Sequence, residues 1–183
     1  MMTRTPEAGF SYIDVMIAVA ILLIGVMALV GAITNGISMT TRSQEALAAK
    51  QVASSTVETI FTARDLGDAN LGWQAIGNVG DAAIPGAVFL AGKQNIYPTP
   101  GKDGIVGTAD DGWGVDGIQG NSDDGQPAIG MQREIKVTDL VDPDRPTSPI
   151  TLRQIDVIIY YSIGAIQRQE TFTSYIANYR IKV

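Results

Sequence analysis

A single carboxylate, Asp14, stands at the head of an apolar run that reaches from position 15 to 33 without another charge. Such a run is long enough to cross a bilayer as a helix, which takes about 20 residues at 1.5 Å rise each. A charge inside a membrane helix costs roughly 2.5–3.5 kcal/mol at the bilayer centre, so a residue that carries one is a functional candidate in need of a partner. A removable secretory signal would have a shorter apolar core closed by a small-x-small site. Here Gly31-Ala32 near the end is followed by bulky Ile33. Arg4 precedes the run, so the positive-inside rule puts the N-terminus in the cytoplasm and the bulk of the chain across the membrane.

The helix is expected to continue past the membrane. Positions 38–64 hold no Pro and no Gly, and Ala46, Leu47, Ala49, Val52, Ala53, Val57, Ile60 and Phe61 recur at spacings near three and four. That is the amphipathic helical period. Asp65-Leu66-Gly67 offers a stop, with Gly67 as the residue after the cap. A continuous helix from 10 to 64 would be about 80 Å long. Its first half, 10–37, is apolar on every side, while its second half, 38–65, carries one apolar stripe. Gly25, Gly31 and Gly36 interrupt the first half; membrane helices tolerate glycine and use it for close packing.

The remainder, 66–183, reads as a β-rich head. Positions 82–90 suggest one short strand interrupted by Pro85-Gly86, and an acidic glycine-rich insert occupies 101–125. Three strand-like runs follow at 131–140, 150–162 and 170–180, with Ile163-Gly164-Ala165 as a turn joining the last two into a hairpin. The expected fold class is α+β: a long N-terminal helix, membrane-spanning in its first half, packed on a C-terminal antiparallel sheet.

Gly9-Phe10, then Asp14 four residues after the Phe, then the apolar run, together resemble the class III signal of type IV prepilins and of the pseudopilins of type II secretion. The family carries a short leader ending in Gly, then Phe, then Glu at the position held here by Asp14, whose side chain is one methylene shorter. The resemblance implies a leader at 1–9 and cleavage between Gly9 and Phe10 by a prepilin peptidase, with N-methylation of Phe10. It also implies Asp14 as the assembly residue, facing the freed Phe10 amine of a neighbouring subunit. Other pilin or pseudopilin subunits, an inner-membrane assembly platform and, before assembly, the lipid bilayer are the implied partners. The implied location is the inner membrane, single-pass with the head in the periplasm, and then a pilus or pseudopilus. The C-terminal hairpin is similar to that of PilV-like minor pilins and minor pseudopilins.

The acidic insert contains an internal repeat. Asp103-Gly104-Ile105-Val106-Gly107-Thr108-Ala109-Asp110-Asp111-Gly112 returns thirteen residues later as Asp116-Gly117-Ile118-Gln119-Gly120-Asn121-Ser122-Asp123-Asp124-Gly125. Two copies are too few for a solenoid. Calcium takes six to eight oxygen ligands, and glycines let a loop fold around the ion. Asp103, Asp110, Asp111, Asp116, Asp123 and Asp124 are therefore candidate calcium ligands. The pattern is similar to the aspartate-rich loops of thrombospondin type 3 repeats and lacks the EF-hand start and closing Glu. The alternative is a solvated loop whose Asp-Gly pairs make turns. Trp113, between the copies, is expected to be a packing anchor.

Composition closes off other functions. The chain has no Cys and no His, which excludes disulfides, a Ser-His-Asp triad and a His-rich zinc site. Asp-Asp pairs on glycine loops make poor rigid acid–base sites, so no enzyme is expected. The formal charge of −6 gives nucleic-acid binding little support. Three functions stay open: a minor pilin-like subunit of a pilus, a minor pseudopilin of a secretion system, or a signal-anchored calcium-binding surface protein.

Overall fold

A computed structural model of the chain describes residues 9, 11–66 and 71–178. The leader positions 1–8, Phe10 and the stop residue Gly67 lie outside them. The chain forms two compact units, Met1–Ser43 and Gln44–Val183. Helix α1, Tyr12–Leu66, supplies residues to both. It runs without a break through Gly25, Gly31 and Gly36, and a Cβ at any of the three would meet open space.

In the first unit every side chain from 11 to 37 is exposed. The helix contains a window of mean hydropathy 2.9, long and apolar enough by length and composition to cross a membrane, and none of that window is buried within the chain. Removal of such side chains from water requires lipid or other helices.

The second unit is the α+β head. Among its described residues, α1 is followed by a 3-10 turn, Trp73–Ala75, and four strands: β1 Gln94–Asn95, β2 Met131–Leu140, β3 Leu152–Ile163 and β4 Ile166–Ala177. They form one antiparallel sheet in the order β1-β2-β3-β4. The sheet packs on the second half of α1. Ala49, Ala53, Thr56, Ile60 and Ala63 are buried at spacings of three and four. They meet Ile155, Val157 and Ile159, alternate residues of β3, together with Ile135, Phe89, Ile76, Ile105 and Ile176. Three alanines in the helical stripe let the sheet approach closely, as native packing density requires. The stripe differs from the sequence expectation at Leu47, which is exposed, because it lies about a quarter-turn from Ala46 and faces away from the sheet.

The turn between β3 and β4 is as expected: Ile163 pairs with Ile166 across Gly164-Ala165. The strand expected at 82–90 is absent. That segment turns repeatedly and makes one isolated bridge, Phe89 to Asn78, outside the four strands. Asn78 does the work of a strand there. Its Nδ2 donates to the Ile135 carbonyl at 2.7 Å, and its Oδ1 accepts from the Val137 N–H at 2.9 Å. The open edge of β2 beyond two-residue β1 is thereby covered by a side-chain amide.

Candidate functional site

The N-terminal candidates occupy the start of α1. Gly9 is exposed with free space around it, and Phe10 lies outside the described residues. Asp14 sits in the first helical turn. Its Oδ2 accepts the Ser11 N–H at 3.1 Å, while Ser11 Oγ accepts the Ile13 N–H at 3.4 Å. This is a capping arrangement in the Ser-x-x-Asp pattern, satisfying helix-end donors that have no partner within the helix. The expectation treated Asp14 only as an intersubunit charge. The spacing of Ser11 and Asp14 is the sequence signal for the cap.

The second candidate is the acidic insert, where the sequence repeat is also a structural one. Ile105 N–H donates to Asp103 Oδ1 at 2.8 Å, and Ile118 N–H donates to Asp116 Oδ1 at 2.8 Å. Gly107 N–H donates to Asp111 Oδ2 at 2.8 Å, and Gly120 N–H donates to Asp124 Oδ2 at 2.6 Å. A Cβ on Gly101 would collide with Asp110, and one on Gly114 with Asp123. The backbone repeats as well: φ is +69° at Gly104 and +71° at Gly117, +92° at Gly107 and +94° at Gly120. A residue with a Cβ rarely adopts such angles, so the shared glycines are what allow each loop to curl over its own carboxylates. The copies are joined by Gly125 N–H donating to the Gly112 carbonyl at 2.8 Å. Trp113, half-buried between them, lines a cleft with Tyr97, Asp111 and Gln119.

The copies differ in their surroundings. Ile105 anchors the first in the core, while its counterpart Ile118 is 62% exposed. Arg133 reaches from β2 to the first loop, its Nη2 2.8 Å from Asp111 Oδ2 and its Nη1 3.4 Å from Thr56 Oγ1 on α1. The Arg133 side chain is only 3% exposed and that of Asp111 9%. Burial raises the pKa of Asp111 and lowers that of Arg133, and the ion pair opposes both shifts. Burial raises Asp103 too, and the neighbouring Asp110 charge pushes in the same direction.

One atom in each copy lacks a partner among the described residues. Oδ1 of Asp111 and Oδ1 of Asp124 are buried and accept no hydrogen bond from any of them. They are counterparts in the repeat, and an unsatisfied buried carboxylate oxygen is costly. Hard oxygen donors with a free lone pair inside a glycine loop fit a calcium ion in kind. Among the described residues no three acidic side chains gather closely enough to hold a metal by themselves. An ion would thus draw on backbone carbonyls and water for much of its shell.

Two arginines that composition alone would place on the surface are buried. Besides Arg133 there is Arg153, whose Nε donates to Asp139 Oδ1 at 2.7 Å and whose Nη1 donates to the Trp73 and Ile76 carbonyls at 2.6 and 2.7 Å. Its guanidinium lies 4.2 Å from the Trp73 ring centroid, tying the segment after α1 to β3. Their inward positions on alternating strands are the available sequence signal: Arg153 is in phase with Ile155 and Val157, and Arg133 with Ile135. Comparison with protein-family models, with curated proteins and with solved structures gives no match to this chain.

Proposed function

We propose that the chain is a type IV pilin-like subunit of the minor kind, anchored by the first half of α1 and assembled with other subunits through it. The observation that carries this reading is the contrast along α1: residues 11–37 are all exposed and mostly apolar, and the same helix continues as the spine of an α+β head. An apolar helical surface of that extent needs lipid before assembly and sister helices after it. The Gly9-Phe10 junction and Asp14 in the first turn support cleavage by a prepilin peptidase, with the head outside the cytoplasm. In the uncut chain Asp14 caps its own helix. In the cut chain the Phe10 amine becomes an alternative partner, and a desolvated charge pair of this type sets register more reliably than it adds stability. Intact-mass and N-terminal peptide analysis from host membranes tests the reading. A chain beginning at Phe10 supports it, and one retaining the leader overturns it. Asp14→Ala should still be cut but should enter filaments poorly; normal incorporation would remove Asp14 from assembly.

A second property is favoured by the two unpartnered carboxylate oxygens: the head binds calcium through its acidic repeat. Titration of the full chain in detergent with calcium chloride tests it, and absence of binding at millimolar ion would sink it.

A further inference from the structure

The two tryptophans are used differently. Trp73 packs against the buried cluster and lies over the Arg153 guanidinium. Trp113 does not join that cluster, so packing in the core does not explain it. It stands half-buried on the wall of a cleft made of two adjoining recesses, of about 280 and 220 Å³, which share Tyr97, Asp111, Trp113 and Gln119. Backbone fixes these walls. The Tyr97 ring lies so close over Gly112 that a Cβ there would collide with it, and Gly112 has φ +84°. Trp113 N–H donates to the Asp110 carbonyl at 3.0 Å, and Ala128 N–H donates to the Ile96 carbonyl, beside Tyr97, at 2.7 Å. Two aromatic rings thus reach the cleft from held backbone. Their polar tips, Tyr97 Oη and Trp113 Nε1, hydrogen-bond none of the described residues, and neither do the amides of exposed Gln119 and Gln126.

We infer that this cleft binds a neutral saccharide of one or two rings, its C–H face on Trp113 and Tyr97 and its hydroxyls on the Gln119 and Gln126 amides. A sugar ring has an apolar face and a rim of groups that both donate and accept. Aromatic rings with a polar tip match the face, and amides match the rim because they too do both. A cationic ligand would leave the indole N–H and the amide N–H groups without use. It would also find little charge on offer. Asp111 Oδ2 is already 2.8 Å from Arg133 and takes the Gly107 N–H, while Asp124 Oδ2 takes the Gly120 N–H. The other oxygen of each is buried, so neither carboxylate holds an unpartnered oxygen open to solvent. The size agrees as well: each recess falls just below the range of small-molecule sites, which begins at about 300 Å³. Neither filament assembly nor calcium enters this assignment.

The test uses the full chain in a detergent without a sugar headgroup, with a chelator present throughout. Maltose, cellobiose, lactose and diacetylchitobiose are titrated calorimetrically, beside acetyl-arginine amide as the cationic comparison. At least one disaccharide should bind at millimolar concentration and shift tryptophan emission, and the arginine compound should not. Trp113→Ala should weaken binding by roughly tenfold or more, with the emission of Trp73 unchanged as the check on folding. Gln119→Ala, at an exposed position, should weaken it by about two- to tenfold without touching the core. No heat and no emission change with any disaccharide would overturn the inference. So would disaccharide binding that survives both substitutions, since the site would then lie elsewhere. Binding of the arginine compound alone would overturn it in favour of a cationic side chain as the ligand.

Discussion

The two halves of α1 teach opposite lessons about hydrophobicity. The first half is the more apolar, yet all its side chains from 11 to 37 are exposed within the chain. The second half is interspersed with Ser, Thr, Gln, Glu and Lys, yet it buries Ala49, Ala53, Thr56, Ile60 and Ala63 completely or nearly so. Burial inside one chain follows from pattern, not from total apolar content. A one-sided stripe can be met by one sheet, whereas a helix apolar all round must be surrounded on every side.

The sharpest break of that comparison is at Arg133, which joins the second half of α1 to the acidic insert. Arg133→Ala leaves Asp111 buried without its cation and should cost about 3–5 kcal/mol. Urea unfolding in detergent, followed by the fluorescence of Trp73 and Trp113, reads it, because both tryptophans lie in the second unit. A loss below 1 kcal/mol would mean the pair is not buried as described.

Next come paired truncations on the two halves. Ile60→Ala should cost about 2–4 kcal/mol, with the cavity adding to the lost transfer energy. Ile24→Ala, at a side chain 71% exposed, should change head stability by less than about 0.5 kcal/mol. Equal effects would show that the halves do not differ in the stated way. Enlargement gives a smaller contrast. Ala53→Leu, at a fully buried position, should cost about 1–3 kcal/mol through overpacking. Ala20→Leu, exposed in the first half, should be silent in the same assay.

The smallest effect lies on the sheet. Tyr160 donates its hydroxyl to Glu134 Oε2 at 2.7 Å, and that hydrogen bond, aided by Lys136, holds Glu134 below the usual carboxylate range. A carboxylate lowered in the folded state adds stability above its unfolded pKa and loses it as pH falls through the folded value. Tyr160→Phe should therefore lower Tm at neutral pH by about 1–2 °C or less and converge with the unaltered chain in acid. A difference that grows on acidification would reverse the sign and refute the assignment.

Much of the architecture was legible locally. The 3.6-residue stripe from Ala49 to Ile60, the alternation along β2 and β3 and the Ile163-Gly164-Ala165 turn each carry their own period or turn chemistry. The two-residue strand β1 was not, since it has no period to show. The segment 82–90 misled because its apolar residues serve the core from turns, with Asn78 supplying the sheet-edge hydrogen bonds in place of a strand. At the site, the duplication of the loop and its six aspartates were plain in the chain. The burial of Arg133 and Arg153 was not, because a charged residue reads as solvent-facing until its partner is known, and those partners, Asp111 and Asp139, are 22 and 14 positions away.

Local patterning specifies a helix apolar on every side in its first half, an antiparallel head, and two copies of one acidic loop with equal local chemistry. The inequality of the copies arises from long-range packing. Ile105 and Ile118 are the same residue in the same turn, and Asp111 and Asp124 accept the same backbone hydrogen bond, because local spacing dictates both. Which isoleucine is buried, and which aspartate meets an arginine, depends on the distance of each loop from β2 and α1. That distance is set by the packing of the whole head and has no counterpart in any short stretch of the chain.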